Sequence, residues 1–275
     1  MGEKNINILM LAVVHKGIAI PIFWMLLDKR GNSNTNERIE IIQRFICIFG
    51  KSRITQVLAD REFIGKEWLS WLDQQNIQFC IRIKKNAKVS NSEGRIVQIH
   101  ELFRDLKPNQ VVRHSRALNV DGVCVHVWAS KLKDELMLVA SNTQAIDAIA
   151  SYKKRWEIET LFGCLKSRGF NLEDTHLTDQ DKFSKLLAVY SIAFCWAYRM
   201  GIWHHDEIKP IKVKKHGRFE NSLFRLGFDL IVEGLKYALF HQDDSKILNI
   251  IDQLRCCNRL LKSKYDFCRV QRLII

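Results

Sequence analysis

The stretch Arg53–Ile83, RITQVLADREFIGKEWLSWLDQQNIQFCIRI, changes character three times along its length. RITQVLAD is an apolar run too short for a helix, and it ends in an acid, Asp60. REFIGKEWLSWLDQQN reads as a charged turn followed by a helix that opens near Gly65, and IQFCIRI reads as a second buried strand. Upstream, residues 6–14 and 18–27 are predicted to form a β-hairpin, with Pro21 marking an edge or a bulge. Between hairpin and strand, GNSNTNERIEIIQRFICIFG supplies a polar turn, a cap-rich start and an amphipathic helix that stops at Gly50. Strand, strand, helix, strand, helix, strand is an α/β core with mixed strand directions.

From about Lys84 the pattern loosens into polar loops and short strands such as VCVHVWA, a β-rich insertion. The α/β pattern resumes with the strand ELMLVASN, after which Asn142 or Thr143 is placed to cap a helical region running to Gly169. Helices are then predicted over 179–203, 218–240 and 244–262, with the basic connector KPIKVKKHGR between the first two. The expected organisation is a core in two parts, residues 1–84 and 135–208, interrupted by the insertion 85–134 and followed by a C-terminal helical region, 209–275.

Composition narrows the partners. With 43 Lys and Arg against 30 Asp and Glu, the formal charge of +13 predicts attraction to a polyanion. Because the basic residues are spread along the chain, nucleic acid is the first candidate. The eight cysteines form no C-x-x-C, and Cys47, Cys80, Cys124, Cys164 and Cys195 lie in apolar runs, as small buried hydrophobes of a reducing compartment do. His204 and His205 are adjacent instead of four apart, which argues against a zinc pair. The apolar run NILMLAVVHKGIAIPIFWMLL is cut by His15, Lys16 and Gly17 into pieces too short to span a bilayer, so no membrane partner is expected.

The segment Tyr152–Lys166, YKKRWEIETLFGCLK, carries an unusual polar stripe. At helical phase Tyr152, Arg155, Glu159, Phe162 and Lys166 fall within an arc of roughly 80°. Arg155 and Glu159 are also spaced as an ordinary i,i+4 surface pair. An acid just past a strand end, as Asp60 is, stands where open α/β sheets gather ligands, although strand-terminal Asp residues are also common turn formers.

LADREFIGKEWLSWL followed by Tyr152-x-x-Arg155-x-x-x-Glu159, six residues and Lys166 resembles the bacterial insertion-sequence transposases of the group named after insertion sequence four, whose Y-R-E-K signature has this spacing. NINILMLAVVHKGIAIPIFWMLLDKRGNSNT and KHGRFENSLFRLG are similar to family segments as well, so the resemblance covers nearly the whole chain. It implies a ribonuclease-H-like core in which two Asp and one Glu hold two Mg2+ ions for phosphoryl transfer at insertion-sequence ends on double-stranded DNA. On this resemblance Asp60 is the second acid and metal ligand and Glu159 the third; Glu157 points ~160° away from Glu159 on a helix. Tyr152, Arg155 and Lys166 are implied to face the cleft and hold DNA phosphates, Arg155 as a fork of donors and Lys166 as a point charge. Arg82, Lys84, Lys85 and the connector around Lys214 are read either as backbone-binding groups or as a solubilising face. Trp128 is read as strand core, with base stacking as the alternative.

The family's first Asp lies on a strand preceding the segment that begins near Asn5, and none of Glu3, Asp28, Glu37 and Glu40 corresponds to it. The expectation is therefore an N-terminally truncated cut-and-paste DDE transposase, bacterial and cytoplasmic, inactive or nearly so alone, with its first strand missing and an unpaired strand edge left behind. The alternative is a non-catalytic DNA-binding or dimer-forming fragment, pairing with itself or with a full-length transposase.

Overall fold

The computed structural model describes residues 7–90, 93–132, 135–144, 147–215, 217, 219–254 and 271–275. The chain opens as a hairpin of β1 (Asn7–His15) and β2 (Ile18–Leu27), turned by Lys16 and Gly17, both at positive φ (47° and 83°). The register slips where Ala12 faces Pro21, because proline has no N–H to give the ladder, and β2 is an edge strand. Helix α1 (Thr35–Phe49) starts with a capping box between Asn34 and Glu37 and ends at Gly50. Strand β3 (Ile54–Ala59) leads through a 3-10 turn, Arg61–Phe63, to α2 (Lys66–Gln74) and then to β4 (Phe79–Arg82).

The β-rich stretch follows as β5 (Lys88–Ser90), β6 (Ile96–Gln98), β7 (Val111–Arg113), β8 (Leu118–Val120) and β9 (Val123–Leu132), before β10 (Glu135–Ser141). Two short helices come next, α3 (Ala148–Lys153) and α4 (Trp156–Lys166), then α5 (Gln180–Trp203), α6 (Leu223–His241), α7 (Ser245–Leu254) and a last strand, β11 (Gln271–Ile274).

The main sheet runs β2-β1-β11-β3-β4-β10-β9-β7, with β8 also on β9. β11–β3 and β3–β4 are parallel; the other pairs are antiparallel, so the α/β fold has a large mixed sheet. Alternation sends Leu9, Leu11, Val57, Ala59, Phe79, Ile81, Leu273 and Ile275 into one core with Ile41, Ile42 and Phe45 of α1 and Trp68, Leu69 and Leu72 of α2. Helix α3 packs on β3, β4, β9 and β10 through Ala148, Ile149 and Tyr152, which are buried but stand outside that core cluster. Trp128 is buried, with the Arg113 guanidinium 6.0 Å from its ring centre and His126 edge-on.

Residues Met1–Leu161 and Arg269–Ile275 form one compact unit, and Phe162–Cys268 the other. Within the second unit, α5 and α6 cross at contact distance between two glycines. A Cβ on Gly227 would stand 1.7 Å from the Ala197 carbonyl oxygen, and one on Gly201 1.9 Å from that of Leu223. By length and composition the helical stretch Gln180–Ile208 is apolar enough to cross a membrane. Its helix α5 instead lays Phe194, Ala197 and Gly201 against α6.

Three expectations are corrected. The cap of the helical region is Asp147, whose side chain accepts from the Ala150 N–H (3.0 Å); Asn142 instead ties β4 down, accepting from Phe79 N–H and donating to the Ile77 carbonyl, each at 3.1 Å. The stretch Tyr152–Lys166, read as one helix, is divided between two, because Lys154 and Arg155 bond back three residues, to Ser151 and Tyr152, and this tighter winding breaks the four-residue ladder. The inner edge expected to be open is paired, since β11 lies between β1 and β3. Of the predicted 244–262 helix, residues 255–262 lie outside the described residues, as do Glu3 and Arg218.

Candidate active site

Strand β3 delivers Asp60 by burying Val57, Leu58 and Ala59 ahead of it. Asp60 keeps an extended backbone (φ −81°, ψ 171°), and its Oδ1 accepts from the Arg61 N–H at 2.7 Å, capping the 3-10 turn. That turn is held from α1. The buried Arg38 guanidinium donates to Ser33 Oγ (3.0 Å), the Ser33 carbonyl (2.5 Å) and the Glu62 carbonyl (3.2 Å), and lies 4.7 Å from the Phe63 ring centre. Arg38 was not among the residues singled out in the sequence. Its signal is there nonetheless: it shares the buried stripe Arg38, Ile41, Ile42, Phe45, where an unpaired cation would be costly.

From the sheet's partner helix, the Tyr152 hydroxyl donates to Asp60 Oδ1 at 3.1 Å. Arg155 follows in the break between α3 and α4, 9% exposed, and its Nη2 donates to Glu159 Oε1 at 2.5 Å. Its Cζ is 5.6 Å from the Tyr152 ring centre. Asp60, Tyr152, Arg155 and Glu159 therefore make one connected cluster, although Tyr152 and Glu159 belong to different helices. Lys166 ends α4, half-exposed, and pairs with Glu173 at 3.3 Å.

The electrostatics of the cluster have clear causes. Burial pushes the Tyr152 phenol up to about 12, with the neighbouring Asp60 carboxylate adding to the rise and Arg155 opposing it. At neutral pH the hydroxyl is therefore a committed donor. Burial works against the charge on Arg155, but the Glu159 hydrogen bond and the nearby Tyr152 and Asp60 outweigh it and hold its pKa above the ordinary value. Arg155 Nε is buried without a hydrogen-bond partner, so the guanidinium keeps an unspent donor. Burial raises Glu157, and its Oε2 is also buried without a hydrogen-bond partner.

Two cavities open beside the cluster and share Arg82 and Glu135, which pair with each other. One, about 640 Å³, has Arg61, Arg82, Lys84 and Lys85 in its wall. The other, about 350 Å³, is walled by Tyr152, Arg155, Met137 and the exposed Trp156. A cationic groove of this kind suits a phosphodiester backbone. Asp60 and Glu159 offer the hard oxygens that Mg2+ takes. Among the described residues no group of three or more His, Cys, Asp and Glu is placed to hold a metal ion, and β11, the neighbour of β3, brings no side-chain carboxylate between Arg272 and Ile275. The donor set thus fits a divalent ion in type and falls short in number.

Residues 11–196, more than half of the 275, match the family model described as Transposase DDE domain. No curated protein matches the chain.

Proposed function

Since the chain belongs to the transposase DDE domain family, we propose that it binds the ends of an insertion sequence of the insertion-sequence-four group and that its cluster at Asp60 and Glu159 is the phosphoryl-transfer site of a ribonuclease-H-like core. Membership implies DNA as the partner and divalent metal ions as the family's cofactor. The observation that carries the reading is the Asp60–Tyr152–Arg155–Glu159 chain of contacts beside a groove walled by Arg61, Arg82, Lys84 and Lys85.

In this reading Asp60 and Glu159 would hold Mg2+, and the chemistry the ion would supply is Lewis-acid stabilisation of charge on the reacting oxygens. Tyr152, kept protonated by burial, donates to Asp60 and fixes the carboxylate. Arg155 balances Glu159 from the wall of the cavity it shares with Tyr152, and Arg155 and Lys166 are the cations that would meet DNA phosphates. Among the described residues the cluster offers two carboxylates, which by themselves would stabilise the charge of cut-and-paste cleavage incompletely. The second reading, in keeping with two carboxylates among the described residues, is a non-cleaving partner that modulates a full-length transposase.

Purified chain, Mn2+ and a duplex carrying the terminal repeat that flanks its gene test the reading. The expected result is salt-sensitive binding, weakened by Arg155→Ala, with little nicking. Failure to bind that duplex above an unrelated one would overturn the end-recognition reading. Robust cleavage that Glu159→Gln abolishes would show that a third acid is supplied, and would discard the modulator role.

A further inference from the structure

The connector between α5 and α6 is folded and moored, where a purely solubilising loop needs no fixed shape. Helix α5 runs into one π-helical turn, His204–Ile208, closed by the Lys209 N–H on the His204 carbonyl at 2.8 Å. The chain then doubles back as a short ribbon. Val213 pairs antiparallel with Phe219, and the Glu220 N–H donates to the Lys212 carbonyl at 2.8 Å. The bend is closed by the Gly217 N–H on the Lys214 carbonyl, also at 2.8 Å, with Gly217 at a positive φ of 78°. Two contacts hold the ribbon to the π-helical turn. The Ile211 N–H donates to His205 Nδ1 at 2.9 Å, and the His205 ring stands edge-on to that of Phe219 with 5.1 Å between centres.

This frame gathers like charges. Residues 209–217 include Lys209, Lys212, Lys214 and Lys215 and no acid, and all four lysines are exposed. Asp206, Glu207 and Glu220 flank the segment, yet among the described residues none of the four lysines forms an ion pair. Ordering like charges on one ribbon costs Coulomb energy and chain entropy, which a polyanion laid along it offsets. Between the lysines, Val213 is 61% and Phe219 45% exposed, so an apolar pair stands in water. A solubilising face gains nothing from that pair, whereas the sugars and base faces of a nucleic acid cover it. The major groove of B-DNA is wide enough to admit a two-stranded ribbon.

We propose that residues 209–220 are a duplex-DNA-binding ribbon of the second unit, in which Lys212, Lys214 and Lys215 take backbone phosphates while Val213 and Phe219 lie against sugars and base edges in the groove. This site rests on the reading of the chain as a DNA-binding transposase and adds a contact to it. The groove of Arg61, Arg82, Lys84 and Lys85 belongs to the first unit, and the ribbon to Phe162–Cys268. His205 is a positioning residue. By accepting the Ile211 N–H and bracing Phe219 it keeps the ribbon folded before DNA arrives, so less freedom is lost on binding.

Fluorescence anisotropy of the full chain on labelled duplex, across a salt series, tests it with two triple variants. One removes Lys212, Lys214 and Lys215 as Gln; the other removes three exposed lysines of the same unit, Lys182, Lys185 and Lys236, as Gln. Both lose the same charge. The ribbon variant is expected to bind roughly tenfold or more weakly near physiological salt, with the logarithmic salt slope reduced by about 0.9 for each phosphate released, and the control variant far less. His205→Ala, which keeps every lysine, should also weaken binding, and His205→Asn, which offers an acceptor in place of Nδ1, should restore it. Equal weakening by the two triple variants, or His205→Ala binding as the wild type does, overturns the ribbon. Anionic lipid vesicles are the competing surface: binding that the ribbon variant loses on vesicles and keeps on duplex assigns these lysines to lipid and overturns it too. A wild-type chain that binds no duplex overturns the proposed function with it, whereas duplex binding that Arg155→Ala weakens and the ribbon variant does not leaves that function standing and removes only the ribbon.

Discussion

Raising the pH through the ionisation range of Tyr152 probes the centre of the candidate site. Its pKa stands at about 12 in the folded chain against an ordinary 10.0. Below about pH 10 folded and unfolded states both hold the proton, and the folded state has the full benefit of a neutral, buried phenol. Between about pH 10 and 12 the unfolded chain releases the proton and the folded chain keeps it, so stability falls; above that range the contribution is gone. Two pKa units at about 1.36 kcal/mol each give a loss of roughly 2–3 kcal/mol, an upper figure. Denaturant unfolding at steps across this range should show the wild type losing that much relative to Tyr152→Phe. Tyrosinate absorbance should show a late-ionising component in the wild type that is missing from Tyr152→Phe. Burial is the largest cause, so Asp60→Asn should retain most of the elevation. Parallel stability curves for wild type and Tyr152→Phe, or tyrosinate titrations that do not differ in their late part, would refute the buried donor and with it the Tyr152–Asp60 link.

Gly227→Ala should destabilise the helical unit by about 2 kcal/mol or more, because the new methyl meets the Ala197 carbonyl and backbone must move; the gain of ~0.5–1 kcal/mol from helix propensity does not offset it, and a lowered Tm with altered near-UV dichroism is the readout. Leu273→Ala removes a fully buried side chain from β11 and should cost about 2–5 kcal/mol by urea denaturation. Glu159→Gln frees Arg155 from its carboxylate and should tighten DNA binding while weakening Mn2+ binding by titration calorimetry; looser binding of both would mean that Glu159 serves only to hold the helix. Lys84→Gln with Lys85→Gln should flatten the dependence of DNA affinity on salt, by about 0.9 in logarithmic slope for each phosphate that is no longer neutralised; an unchanged slope would place the DNA elsewhere.

Local sequence carried a large share of the architecture. The apolar runs NILMLAVVH and RITQVLA, the Asn34–Glu37 capping box, the stop at Gly50 and the start at Gly65 are short-range effects, and the elements they specify stand within a residue or two of where local pattern put them. Asp60 after a buried strand and the spacing of Tyr152, Arg155, Glu159 and Lys166 likewise singled out a group of residues, three of which meet Asp60 or one another through tyrosine and guanidinium contacts. Periodicity failed at Lys154 and Arg155, where a regular 100° step would keep one helix. The chain winds tighter there, as Tyr152 sits in its contact with Asp60 and Arg155 in its own with Glu159. Arg38 was legible only as part of a buried helix stripe because two of its three acceptors, the carbonyls of Ser33 and Glu62, are backbone groups with no sequence signature. The hardest feature to read was the place of QRLI. A short apolar tail has the propensity of a strand anywhere, and its partners are chosen by unpaired backbone at the edges of β1 and β3, which exist only once the rest of the sheet has formed.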